Sequence, residues 1–393
     1  MNMEIKNNIF YVGVLNATLR VFDVTMKTEY GTSYNSYLIR DTKNTLIDTV
    51  PEDFFEEYIS NIEKIIDIKD ITYLIINHAE PDHSGSIAKL LLMNPKIQIY
   101  CTIGASRNIN NICNKEMNAN IVKDDDILAI GDTILRFKPA PFLHWPDTMF
   151  TYDEKEKIVF TGDFLGAHFA EPRILDEYIH DSDVYMESVK SYYSSLFSAF
   201  KPFVLKGLEI LSSLNYSCVA PSHGPVVEAK LEAIKQLYTS SSISVKGNKV
   251  SIIYASAYGY TKKLATTAKE YIEKNSSFLV NLIDVNSCSL EYIKEQIESS
   301  KALLIGSPTI NRDAVKPIWD VLSTIDVYIN KSIPVGVFGS YGWTGEAVPM
   351  LIQRLLSLGL TVIDDGIKVA FNPTDEDLKS MEEYTKLVIE SVK

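Results

Sequence analysis

Residues 249–393 repeat one device, a short apolar run followed by an amphipathic helical stretch, and this alternation constrains the fold more than any other feature of the chain. The runs are VSIIYA (250–255), FLVNLIDV (278–285), ALLIG (302–306), IPVGVF (333–338) and LTVIDDGIKVA (360–370), with a last helix expected over 375–392. Parallel strands need a crossover of a dozen or more residues between them, and a helix supplies it. Five such runs separated by helices therefore imply a parallel, doubly wound α/β sheet.

The preceding residues mix short strands and helices less regularly. YNSYLI (34–39) and NTLIDTV (44–50) read as strands flanking the turn DTKN, FFEEYISNIEKII (54–66) as an amphipathic helix, and ITYLIIN (71–77) as a strand. Further strands are expected at KIQIYC (96–101), ILRFKPAP (134–141) and KIVFTGD (157–163). The stretch YTSSSISVKGNK (238–249) is small, polar and without periodicity, and reads as a linker. Two domains are expected, residues 1–245 and 249–393, in keeping with a length of 393 residues.

Composition narrows the function. Hydrophobic residues at 46% and charged residues at 23% suit a globular protein with sizeable cores. No apolar run approaches the ~18 residues of a membrane span, and the start MNMEIKNNIFYVGVLN lacks the features of a secretory signal, so the chain reads as cytoplasmic with no membrane partner. A formal charge of −13 opposes nucleic acid as the main partner. Cys101, Cys113, Cys218 and Cys288 lie far apart with no C-x-x-C spacing, which excludes a short-range zinc knuckle or a fused rubredoxin-type iron site. They read as reduced core residues.

The strand ITYLIIN runs straight into NHAEPDHSGS, which carries His78, Glu80, Asp82 and His83 within six residues. His144 follows another expected strand in APFLHWPD, Asp163 ends KIVFTGD, and His223 sits in PSHGP. Strand-to-loop junctions are where layered α/β folds place functional groups. A lone histidine beside a strand is usually structural; four potential ligands in six residues, with three more at later junctions, point to metal. Seven ligands suffice for two ions that share a carboxylate. Four imidazoles and three carboxylates carry −3 against +4 from two divalent ions, and a bridging hydroxide would neutralise the site. The donor set suits iron, manganese or zinc. His168 reads as structural, with an outer-shell place near the metals as the alternative, and His180 as a solvated surface residue.

In the second half, Ser256, Ala257, Tyr258, Gly259, Tyr260 and Thr261 form a hydroxyl-rich turn between the first strand and its helix. Such a turn either caps the helix or holds a phosphate against unpaired N–H groups and the helix dipole. The absence of G-x-G-x-x-G and of a Walker lysine argues against dinucleotide or ATP. GSPTIN, with Ser307, Pro308, Thr309, Ile310 and Asn311, follows the third strand. GSYGWTGEA, with Ser340, Tyr341, Gly342, Trp343 and Gly345, follows the fourth. Three loops at the carboxyl ends of successive parallel strands point to FMN at the topological switch point, with Tyr341 or Trp343 flanking a planar ring.

These motifs carry a resemblance. The word H-x-E-x-D-H, followed by separate H, D and H, resembles the metallo-β-lactamase superfamily, whose hydrolases have H-x-H-x-D-H; Glu80 stands where they have a second histidine. That variant is the pattern of flavodiiron proteins (A-type flavoproteins), which LHWPDTMFTY and PSHGPV also resemble, and the second half is similar to short-chain flavodoxins. After Asn311 the sequence RDAVKPIW departs from the family's Gly/Pro-rich continuation, at the outer rim of the expected flavin site.

The resemblance implies an N-terminal metallo-β-lactamase-like αββα sandwich joined to a flavodoxin-like doubly wound sheet. It implies two iron ions, one held by His78, Glu80 and His144, the other by Asp82, His83 and His223, with Asp163 bridging. Asp48 matches a superfamily aspartate with a structural or outer-shell place. A carboxylate in place of an imidazole favours oxidised iron, which a hydrolytic zinc site does not need. The implied activity passes electrons from an external donor (rubredoxin first, a reduced deazaflavin second) through FMN to iron that reduces dioxygen to water, nitric oxide to nitrous oxide, or both. A head-to-tail homodimer, or a dimer of such dimers, is implied as well. The competing reading is a zinc hydrolase of metallo-β-lactamase type with a flavodoxin-like accessory domain.

Overall fold

The computed structural model describes residues 3–243 and 247–392. They divide into two units, Met1–Ile243 and Ser244–Lys393. No helix among the described residues is long and apolar enough to cross a membrane.

The first unit is built on two sheets. In the larger, the strands lie side by side in the order Met3–Lys6, Ile9–Tyr11, Tyr37–Ile39, Asn44–Ile47, Ile71–Ile76, Gln98–Cys101 and Asn120–Ile121. In the smaller the order is Ile127–Ala129, Ile134–Pro139, Met149–Asp153, Ile158–Gly162 and Cys218–Pro221. Side chains alternate across each strand, and the alternation sorts them into three cores. Ile47 and Ile75 of one sheet meet Ile158, Phe160 and Ala220 of the other in the central layer. Leu46, Leu74 and Ile76 point outward, under helices Phe55–Glu63, Ile87–Met93 and Ile103–Ile112. Phe150, Val159 and Val219 point outward on the opposite side, under Ser182–Leu196, Lys201–Ser212 and Leu231–Ser242. The layers are α, β, β and α, as expected.

In the main sheet of the second unit all the pairings are parallel, with strands in the order Leu279–Asp284, Lys249–Tyr254, Ala302–Gly306, Pro334–Tyr341 and Thr361–Val362, and with Ile367–Ala370 also on Pro334–Tyr341. Ile252 and Leu304 face helices Tyr260–Asn275 and Asp375–Glu390. Ile253, Ile305 and Val335 face Leu290–Glu298, Lys316–Ser323 and Ala347–Ser357. The doubly wound sheet expected from the alternation is present.

Local departures have physical causes. The expected strand 34–39 breaks into Thr32–Tyr34 and Tyr37–Ile39, because the Asn35 side chain turns inward to donate to the carbonyls of Pro221 and Gly224, each at 2.7 Å. The run 360–370 becomes two short strands around a turn with Asp364 at φ 54° and Gly366 at φ 74°. Residues 238–242 are not linker; they complete helix Leu231–Ser242, anchored by fully buried Tyr238 against Phe164 and Tyr193. Residues 244–246 of the expected linker lie outside the described residues. Strand Met149–Asp153, buried at every position, is central to the smaller sheet and was not expected from the sequence.

Candidate metal centre and flavin site

Four strand ends deliver the acidic and imidazole side chains. The segment carrying His78, Glu80, Asp82 and His83 leaves strand Ile71–Ile76; Asp163 directly follows Ile158–Gly162, and His144 and His223 follow Ile134–Pro139 and Cys218–Pro221. The short helix Pro81–Ser84 folds the first segment back: the backbone N–H of His83 donates to the carbonyl of Glu80 at 2.9 Å, and the Ser84 hydroxyl to that of Ala79 at 2.9 Å.

All seven side chains converge. His78, Glu80, His144 and Asp163 form one group, and Asp82, His83 and His223 another, each with ligand atoms within 4.8 Å of one another. Asp163 belongs to both by geometry. Its Oδ2 lies 3.5 Å from His78 Nε2 and 3.7 Å from His144 Nε2, and its Oδ1 3.2 Å from His83 Nε2 and 3.4 Å from His223 Nε2. Glu80 Oε2 is 3.1 Å from His78 Nε2 and 3.2 Å from His144 Nε2, while Asp82 Oδ2 is 3.0 Å from His223 Nε2. Donors about 2.0–2.2 Å from a common ion stand at about this separation from one another.

Electrostatics and hydrogen bonding agree with a site made for cations. Burial opposes the ionisation of Asp163, yet His83, His78 and His223 hold its pKa well below the ordinary carboxylate range. Burial likewise opposes a proton on His78, but Asp147 and Glu80 hold its pKa well above normal. Against the same penalty, Asp82 and Asp163 raise His83 to about 9. Both carboxylate oxygens of Asp82, Oδ2 of Asp163 and Nδ1 of His83 are buried without a hydrogen-bond partner. Buried polar atoms seldom stay unpaired. The residues fit a pair of metal ions.

Two neighbours were not legible in the sequence. Buried Asp147 accepts the N–H of Ala79 at 2.8 Å and faces His78 Nδ1 at 3.2 Å. The buried Tyr192 hydroxyl donates to Asp163 Oδ1 at 3.1 Å. Only the P-D turn in LHWPDT hinted at the first; the second lies mid-helix with no local signal. Asp48 is an outer support: its Oδ1 accepts the N–H of Asn77 at 2.8 Å, and burial lifts its pKa to about 6. His180 is exposed, as expected, whereas His168 packs against His223 with ring centroids 5.1 Å apart. Glu80 and Asp82 open onto a cavity of about 500 Å³ walled by Phe22 and Tyr34, with Asp23 at its margin.

In the second unit the three expected loops meet at a slot of about 190 Å³ lined by Ala257, Tyr258, Tyr260, Pro308, Thr309, Ile310, Ser340, Tyr341 and Gly342. Phe371, after strand Ile367–Ala370, joins them and was missed; the end of a fifth parallel strand was the available signal. Asn311 and Trp343 line an adjoining cavity of about 200 Å³. Ser256, Gly259, Thr261, Ser307 and Gly345 line neither. Ser307 is instead consumed by the turn, donating to the carbonyl of Pro308 and accepting from the N–H of Val315, while Thr261 pairs with Ser340 at 2.8 Å.

Helix Tyr260–Asn275 starts at Gly259, whose φ of 86° suits glycine; Ser256 Oγ accepts the N–H of Lys262 at 3.3 Å, while the N–H groups of Tyr260 and Thr261 have no side-chain acceptor among the described residues. A phosphate fits such an end. Tyr258 at 85% and Trp343 at 87% exposure leave large aromatic faces beside the slot, which a planar ring would cover. The departure RDAV forms a two-residue hairpin turn with Asn311 at φ 54° and Arg312 at φ 62°, between Thr309–Ile310 and Asp313–Ala314. The residues fit FMN.

Comparison with known proteins agrees for both units. The profile of the ODP family beta-lactamase domain matches residues 32–224, and that of flavodoxin matches 252–384. The chain is 47% identical over 384 residues to flavo-diiron protein FprA2 of Clostridium acetobutylicum, covering 96% of each chain. It is 33% identical to the anaerobic nitric oxide reductase flavorubredoxin of Escherichia coli, covering 98% of this chain and 81% of that one. The solved structure of rubredoxin oxygen:oxidoreductase from Desulfovibrio gigas superposes with a TM-score of 0.72 at 26% identity, covering 100% of this chain and 98% of that chain. With likeness running through both units and almost the whole of its length, the chain belongs to the flavodiiron proteins.

Proposed function

We propose that His78, Glu80, His144 and Asp163 hold one iron and Asp82, His83, His223 and Asp163 the other, and that the three loops of residues 256–261, 307–311 and 340–345 hold FMN. The observation that carries this reading is Asp163, whose two carboxylate oxygens face separate imidazole groups. Bound there, iron and flavin supply the redox chemistry: electrons enter through FMN and reduce dioxygen to water or nitric oxide to nitrous oxide. The names of the two similar proteins, a nitric oxide reductase and an oxygen oxidoreductase, support both gases.

The chain's own residues supply position and shielding. Asp147 fixes the ring of His78 by facing its Nδ1, so that Nε2 points at the carboxylates of Glu80 and Asp163. The Ser33 carbonyl, 2.6 Å from His223 Nδ1, does the same for that ring. Phe22 and Tyr34 present apolar faces toward His223 and restrict water at that ligand. Glu80, Asp82 and His144, the more exposed ligands at 13–14%, mark the side from which a gas arrives.

An external donor belongs to the same reading, rubredoxin first and a reduced deazaflavin second; the name of the oxygen oxidoreductase supports the former. So does a head-to-tail homodimer or a dimer of dimers, in which one protomer's flavin serves its partner's irons. Cytoplasmic residence is supported by four free cysteines, which suit a reducing compartment. Metal and flavin analysis of protein reconstituted without air tests the assignment. Two irons and one FMN per chain are expected, with the irons magnetically coupled. Two tightly held zincs that iron cannot replace would favour hydrolysis instead.

A further inference from the structure

The two cavities of the flavin site are parts of one cleft, because Thr309, Ile310 and Gly342 line both. Among the described residues that line it, Arg312 and Glu346 are the only charged ones, and both stand at the end that Trp343 borders. They come from different loops. Arg312 holds the second position of the Asn311–Arg312 turn at φ 62°, where a two-residue hairpin favours glycine. Glu346 stands at the start of helix Ala347–Ser357.

The two side chains pair, with Arg312 Nε donating to Glu346 Oε1 at 2.9 Å. The Thr344 hydroxyl donates to the same oxygen, and these two partners hold the Glu346 carboxyl below its ordinary range. Glu346 Oε2 is buried with no hydrogen-bond partner among the described residues, and buried polar atoms seldom stay that way. Asp313, next along the chain, is engaged elsewhere: its Oδ1 accepts the indole N–H of Trp319 at 3.0 Å and the N–H of Ala314 at 2.7 Å. The cleft therefore ends in one unfilled acceptor with a guanidinium fixed beside it.

We propose that this pair is the polar end of the flavin site: Glu346 Oε2 accepts the ring N–H of FMN, and Arg312 favours the reduced ring over the oxidised one by its charge. The proposal rests on the FMN assignment above. An oxidised isoalloxazine has a single N–H, set between two carbonyl groups, so an acceptor with a cationic donor at its side matches that edge. Two electrons and one proton added to the ring leave it with one net negative charge, which a neighbouring cation stabilises and a neighbouring carboxylate opposes. Arg312 and Glu346 therefore pull the flavin equilibrium in opposite directions.

Redox titration of the iron-loaded protein with FMN bound, at low and at high salt, tests the charge. Arg312→Gln should lower the ratio of reduced to oxidised FMN at a fixed potential about two- to fivefold. Glu346→Gln, which keeps an oxygen for Arg312, should raise that ratio. Both changes should shrink at high salt, since the Arg312 side chain is 75% exposed. Binding of FMN methylated on its ring N–H nitrogen to the flavin-free protein tests the hydrogen bond. The methylated flavin should bind the parent about tenfold more weakly than FMN, and Glu346→Ala should erase most of that preference. Parental ratios in both Arg312→Gln and Glu346→Gln, or a preference for FMN unchanged in Glu346→Ala, would overturn the proposal. Failure of the parent to bind FMN at all would overturn the flavin reading itself, and this proposal with it.

Discussion

Asp147 places Oδ2 3.2 Å from His78 Nδ1 while accepting the N–H of Ala79, which fixes both the tautomer and the direction of a ring whose other nitrogen faces Glu80 and Asp163. Partners of this kind raise the affinity of a ligating imidazole. Asp147→Ala is expected to weaken iron at the His78 group by about 10–100-fold, measured by chelator competition on the anaerobic reduced protein, with FMN content unchanged.

Asp163 is expected to couple the two metals. Asp163→Ala should empty both positions together, whereas Glu80→Ala should weaken chiefly one; iron counts per chain distinguish the outcomes. In the metal-free protein the same change leaves the buried imidazoles His78 and His83 without their shared counter-ion. Unfolding in denaturant should then show a loss of about 3–5 kcal/mol, the usual cost of breaking a buried pair.

Stability and metal loading should respond to pH in opposite senses. His83 stands at about 9 in the folded metal-free protein against an ordinary 6.5, with Asp82 and Asp163 overcoming burial. The folded form thus keeps a proton that the unfolded chain gives up. The stabilisation, about 3 kcal/mol by linkage, is complete below pH 6.5 and is lost as pH rises through about 9. Thermal unfolding of metal-free protein should show this decline. Iron competes with those protons, so its binding should strengthen over the same interval.

Trp343 is 87% exposed and lines the cavity beside the proposed flavin slot, so its truncation should leave folding intact. Trp343→Ala is expected to weaken FMN by about 0.5–1.5 kcal/mol, or about two- to twelvefold, the worth of one aromatic stacking contact. Flavin fluorescence titration of the apoprotein measures it. Gly339→Ala should act differently: an added Cβ would lie 2.2 Å from the Ser307 carbonyl oxygen, so the second unit itself should lose stability.

How much could be read in advance follows from how local each signal is. The seven acidic and imidazole side chains that converge in the first unit follow strand ends, and four of them share one short segment, so residue type and junction together made their convergence legible. The parallel sheet was equally legible, because buried parallel strands are nearly continuous apolar runs. Asp147 and Tyr192 were not, since an aspartate in a turn and a tyrosine in a helix acquire meaning only when a distant residue folds against them. Strand Met149–Asp153 hid for a similar reason: MFTYD has mixed polarity, and its burial comes from neighbours on both sides in the smaller sheet. The end of helix Leu231–Ser242 reads as polar linker until Tyr238 finds Phe164 and Tyr193.

On the proposed assignment Asp163 and six further ligands hold an iron pair which, fed by FMN, reduces a small gas. The most direct measurement is rapid-mixing absorbance of anaerobically reduced, iron- and FMN-loaded protein, exposed separately to dioxygen and to nitric oxide. At least one gas should reoxidise the flavin within a turnover, and Asp163→Ala should abolish that reaction while FMN stays bound. Negligible reoxidation of the parent by both gases, or equal rates in parent and variant, would overturn that assignment.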